Sequence, residues 1–145
     1  MSHRNSTLCA IVLALAVVSG CDDQPEEGQS VVFDGDTRVE TEGGAFSVEL
    51  WSEVKSPCVG SNTFVLRVCM ADTEQGIPNA EIGLEAWMPR ADGEAGSESA
   101  VTYLGDGQYR IENVELGQGG AWQFDFSIEV GATMRESVAF RYEVL

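Results

Sequence analysis

Apolar and polar residues alternate with a period of two along most of this chain. Phe46, Val48 and Leu50 alternate with Ser47 and Glu49, and Phe64, Leu66, Val68 and Met70 share one parity against Val65, Arg67 and Cys69. Ile82, Leu84, Ala86 and Met88 repeat the pattern. So do Trp122, Phe124, Phe126, Ile128 and Val130, and then Met134, Val138, Phe140, Tyr142 and Val144. One buried and one wet face per segment is the mark of antiparallel sheet, and no long stretch carries a helical stripe. Gly105-Asp106-Gly107 predicts a hairpin between 100–104 and 108–114, and Gly131-Ala132 predicts a type II′ turn between the last two strands. Segments 72–78 and 89–97, rich in Gly, Asp and Glu, read as loops. The expectation is all-β: an immunoglobulin-like antiparallel β-sandwich of about 7–9 strands. The Cys…Trp…Cys spacing of antibody domains is absent.

The first 21 residues break the pattern. A short start bearing Arg4 leads into an apolar run from Leu8 to Val18 and then Val18-Ser19-Gly20-Cys21. This is a secretory signal, too short to span a bilayer, and the cysteine after small residues makes it the bacterial lipoprotein type. Cleavage is expected between Gly20 and Cys21, with Cys21 lipidated. The organisation that follows is a signal over 1–20, a flexible acidic tether over 21–30 and one domain over 31–145. The tether, Asp22 to Gln29, holds no apolar residue. Three acyl chains at about 0.8 kcal/mol per buried methylene would hold the protein on a bilayer unaided. The expected location is the cell envelope, facing the periplasm or the exterior. Asp22 and Asp23 resemble an inner-membrane retention signal, although inner and outer membrane stay open.

Charge narrows the partners. The 24 acidic against 8 basic residues give a formal charge of −16, and every acidic residue follows Cys21. Such a surface repels nucleic-acid phosphates, so no nucleic acid is expected. The expected partners are the bilayer, through Cys21, and an unknown envelope protein. Of four cysteines, Cys9 leaves with the signal and Cys21 is taken by lipid. Export makes a Cys58–Cys69 disulfide a candidate. A strand over 63–70 would put Cys69 about 20 Å from its start, however, so Cys58 would have to double back, and two free thiols are the alternative.

Several segments in order resemble the YtkA-like domain family of small exported β-sandwiches. They are Pro57-Cys58-Val59-Gly60-Ser61-Asn62-Thr63-Phe64, Gly76-Ile77-Pro78-Asn79-Ala80, Trp87-Met88-Pro89, Gly107-Gln108-Tyr109-Arg110-Ile111 and Gly120-Ala121-Trp122. The likeness covers roughly residues 44–145 and implies an immunoglobulin-like sandwich and, for some relatives, a part in copper handling. The departures matter. Relatives often continue Met-Pro into a loop of His-Gly-His character and place a Met before Gly-x-Trp. This chain has Met88-Pro89-Arg90-Ala91-Asp92-Gly93-Glu94 and Gln118-Gly119-Gly120-Ala121-Trp122 instead.

Little chemistry remains. The sole histidine, His3, falls within the signal, so the mature chain has no imidazole for a Cu(II) or Zn(II) site or a Ser-His-Asp triad. Copper(I) would need sulfur, for which Met88 and Cys58 are weak candidates. Met70, Met88 and Met134 all fall on apolar parities, where methionine is core filler. Asp34-Gly35-Asp36 and Asp92-Gly93-Glu94 lack the twelve-residue calcium-loop pattern and read as solvated turns. Neither a cofactor nor catalysis is expected. Trp51 and Trp87 fall on wet parities, and Trp87 is the candidate contact residue.

Overall fold

The computed structural model describes residues 38–54, 56–89 and 99–144. The expected signal, Cys21, the tether, Asp34-Gly35-Asp36 and Asp92-Gly93-Glu94 lie outside the described residues. Eight strands follow in order: β1 (Arg38–Glu40), β2 (Phe46–Ser52), β3 (Gly60–Met70), β4 (Glu81–Trp87), β5 (Ala100–Gly105), β6 (Gln108–Leu116), β7 (Gly120–Val130) and β8 (Met134–Val144). They form a five-stranded sheet, β1-β2-β3-β6-β5, and a three-stranded sheet, β4-β7-β8. Every pairing is antiparallel. The all-β sandwich expected from the alternation is the fold observed.

The inward parities are those that the alternation marks. Phe46, Val48, Leu50, Phe64, Leu66 and Val68 from the larger sheet meet Trp122, Phe124, Phe126, Ile128, Val138 and Phe140 from the smaller. Phe64 packs on Phe124 at 5.1 Å between ring centroids, and Tyr142 meets Phe124 edge-on at 5.7 Å. Such pairs add about 1 kcal/mol each beyond area burial. The Tyr142 hydroxyl donates to the Leu50 carbonyl at 2.8 Å, tying β8 to β2 across the two layers.

Burial pushes the Tyr142 phenol up to about 12 and the Tyr109 phenol also upward. The unfolded chain therefore releases these protons first, near pH ~10. Stability should be complete below that pH and fall as pH rises toward about 12. Urea midpoints measured across this alkaline range test the point. Tyr142→Phe should cost about 1 kcal/mol at neutral pH through the lost hydrogen bond and make the alkaline decline shallower.

Two connections are pinned by hydrogen bonds, one in the core and one at the surface. The segment after β3 folds back so that Ile77 N–H donates to the Val68 carbonyl at 2.9 Å. The Tyr109 hydroxyl then donates to the Ile77 carbonyl at 2.6 Å and accepts from the Ala80 N–H at 2.9 Å. One phenol thus fixes the passage from the larger sheet to β4. Between β1 and β2, the Glu42 N–H donates to the Ser137 carbonyl at 3.0 Å and the Gly43 N–H to Glu136 Oε2 at 2.7 Å. That turn covers part of β8.

The structure corrects several expectations. The loop between β7 and β8 has three residues, 131–133, because Val130 pairs with Met134. The type II′ assignment therefore fails, although Gly131 does have a positive φ of 62°. Met134 is 37% exposed, beyond the cover of the opposite sheet, so it is no core filler. The outer face of the larger sheet is not uniformly wet. Val65 is buried between its cross-strand neighbours Trp51 and Arg110, and Ser47 and Cys69 are buried on the same face.

The Cys58–Cys69 disulfide is not formed. Cys69 is a free, buried thiol. The reason is distance along β3. Gly60 pairs with Leu116 at one end and Cys69 with Ser47 near the other. At about 3.3 Å per residue the two cysteines stand near opposite ends of the strand, against the ~7 Å limit between bridged Cα atoms. Burial pushes the Cys69 thiol up, with Arg67 opposing, so it stays protonated.

Candidate functional site

The pairings Gly60–Leu116, Trp87–Gln123 and Gly120–Val144 bring Cys58, Met88 and the 117–119 connection to one end of the sandwich. Trp122 organises this corner. It is 1% exposed, and its indole N–H donates to the Gln118 carbonyl at 2.9 Å. The Gln118 side chain then donates from Nε2 to Met88 Sδ at 3.0 Å. Gly120 completes the approach: its φ is 124°, and a Cβ there would lie 2.9 Å from Met88 Cε. A larger residue would be strained in its backbone and would press on the methionine.

Chemically the corner offers one thioether with an amide donated to it. No group of three or more His, Cys, Asp or Glu able to hold a metal occurs among the described residues. Cys58 serves a backbone latch instead: its N–H donates to Asn62 Oδ1 at 3.0 Å, and Asn62 Nδ2 donates back to the Cys58 carbonyl at 2.8 Å. Asn62, buried at 4%, also donates to the Gly60 carbonyl, so one amide side chain closes the turn into β3. The sequence held a signal for it, an asparagine just past a glycine at a strand start, where Asx turns are common.

Trp87 lies next to the corner, on the outer face of the smaller sheet and 36% exposed. Its indole N–H donates to Asp125 Oδ2 at 2.6 Å, and Gln123 Nε2 donates to Asp125 Oδ1 at 2.8 Å. Both carboxylate oxygens are thus engaged, although Asp125 pairs directly with Glu85 across the strands. Like charges so placed repel, and the two donors offset that cost. The ring is fixed before any partner arrives, so little side-chain entropy remains to be lost on contact. The sequence marked Trp87 as a contact residue but gave no sign of the Asp125–Gln123 support.

The YtkA-like family profile matches residues 40–127, and the chain belongs to that family. The match begins at the last residue of β1 and ends within β7, so β8 lies beyond it. No curated protein and no solved structure matches the chain. The Gln118–Met88 hydrogen bond thus lies within the family match, beside the segments where this chain departs from the pattern of its relatives.

Proposed function

We propose that this chain is an exported lipoprotein whose β-sandwich binds or supports another protein of the cell envelope without catalysing a reaction. The observation that carries the reading is the apolar run Leu8–Val18 followed by Val18-Ser19-Gly20-Cys21, which has the order that export, cleavage and acylation require. The absence of any histidine after His3 supports a non-catalytic role, since it removes the usual general base. The pinned, half-exposed Trp87 supports a contact role. Cys21→Ser is the test. The variant should keep its signal uncut and carry no acyl mass. Unchanged processing would refute the anchor.

A second reading is a periplasmic copper accessory with a degenerate ligand set, favoured by the thioether of Met88 at the corner. Purified protein would then retain copper(I) through dialysis, and Met88→Ala or Cys58→Ser would abolish the retention. No uptake removes this reading and leaves the first untouched.

A further inference from the structure

Among the described residues, the sandwich has four edge strands, and they are not protected alike. β1 is three residues long with charges at Arg38 and Glu40. β4 carries Glu81 and Glu85 between Pro78 and Pro89. β8 carries Arg135, Glu136, Arg141 and Glu143, and the 42–43 turn hydrogen-bonds to it. Short length, inward or flanking charge, proline and loop cover are the usual guards against a strand adding on. β5, Ala100-Val101-Thr102-Tyr103-Leu104-Gly105, has no charge and no proline.

β5 is also unusually apolar for an exposed element. Val101 is 39% exposed, Tyr103 42% and Leu104 52%. Val101 and Tyr103 pair with Ile111 and Tyr109, both buried, so they lie on the core parity of the larger sheet. They nevertheless remain open, on the outermost strand of the five-stranded sheet. Among the described residues, β5 pairs only with β6, which leaves the backbone groups of its other side available for a sheet partner.

On the core parity a strand added there would meet Val101 and Tyr103. On the outer parity it would lie beside Ala100 and Thr102, next to Glu112 and to Arg110, one guanidinium shared between Glu53 at 2.7 Å and Glu112 at 3.9 Å. The surrounding charge is thus negative locally, as it is for the whole chain at −16. A second copy would bring the same charge and be repelled, whereas a basic strand would be attracted.

We infer that β5 is the docking edge for an extended segment of a partner protein, apolar on one face and bearing Lys or Arg on the other. The segment would add a sixth strand to the larger sheet. This deepens the binding role proposed above and is independent of the anchor, because substitutions in β5 leave Cys21 in place.

The probe is a peptide of about ten residues alternating valine and lysine, a typical strand length with a margin. Its control has the same composition with a central proline, which breaks a ladder but keeps the charge. With the full chain purified from cells, the alternating peptide should bind at least ~10-fold more tightly than the control, a difference of about 1.4 kcal/mol. Amide exchange should slow at 100–104 on binding. Val101→Lys or Leu104→Lys, both at exposed positions, should each weaken binding ~10-fold with an unchanged circular dichroism spectrum. Equal binding of the two peptides would reduce the effect to bulk charge and overturn the proposal. So would indifference to both lysine substitutions, or slowed exchange elsewhere than β5. Protection of 100–104 without peptide in a sedimenting dimer would make a second copy the occupant and overturn it as well. Each of these failures leaves the Cys21→Ser result standing.

Discussion

Trp122→Ala should destabilise the domain by about 4 kcal/mol, the range for removing a fully buried large aromatic. Trp122 is the largest of the fully buried side chains. Its loss removes packing in the centre of the smaller sheet and frees the Gln118 carbonyl, to which its N–H donates at 2.9 Å. With Gln118 released, the amide on Met88 Sδ loses its support too. Trp122→Phe keeps most of the volume but not the donor, so it should cost less, about 2 kcal/mol. Urea denaturation of both variants separates the packing share from the hydrogen-bond share. Equal costs would mean that the N–H, lost in both variants, carries the whole effect and the packing none.

Gly107→Ala should cost about 3 kcal/mol or more, a large effect for one methyl group on a turn. Asp106 and Gly107 have φ of 49° and 75°, the pair of positive values of a type I′ hairpin. Asparagine and aspartate tolerate that region, while alanine pays about 1 kcal/mol there. The second cost is steric and specific to this fold. A Cβ on Gly107 would run into the Val68 carbonyl oxygen and come within 2.8 Å of Gly76 Cα. That oxygen accepts from the Ile77 N–H, and the Val68 N–H donates to the Gly107 carbonyl at 2.8 Å. Both elements must therefore shift together. Gly105→Ala is the control, since Gly105 has φ of 107° but open space around its Cβ. It should report the backbone cost alone, and thermal unfolding of the two variants should rank them in that order.

Legibility in the sequence followed how local each feature is. β7 was evident because five apolar residues alternate without interruption, and one wrong register would turn all of them to water. The 105–107 hairpin was evident because Asp-Gly carries its own backbone preference. β1 was not, because its three residues are all exposed and only their pairing with Glu49, Val48 and Ser47 of β2 defines it. The early start of β3 at Gly60 was hidden by an irregularity between Asn62 and Phe64. Burial of Val65 on an outer face depends on which neighbours flank it two strands apart, and parity alone carries no record of that. At the corner, the sequence shows Met88 in a segment shared with relatives and Gln118-Gly119 in one that departs from them. Their contact comes from the β4–β7 register and the Trp122 anchor, which no local spacing encodes.

The most direct test of the account is the intact mass of the chain extracted from membranes. Export with acylation predicts a protein that lacks residues 1–20 and carries the added mass of three acyl chains on Cys21. An unacylated chain still beginning at Met1 would contradict it.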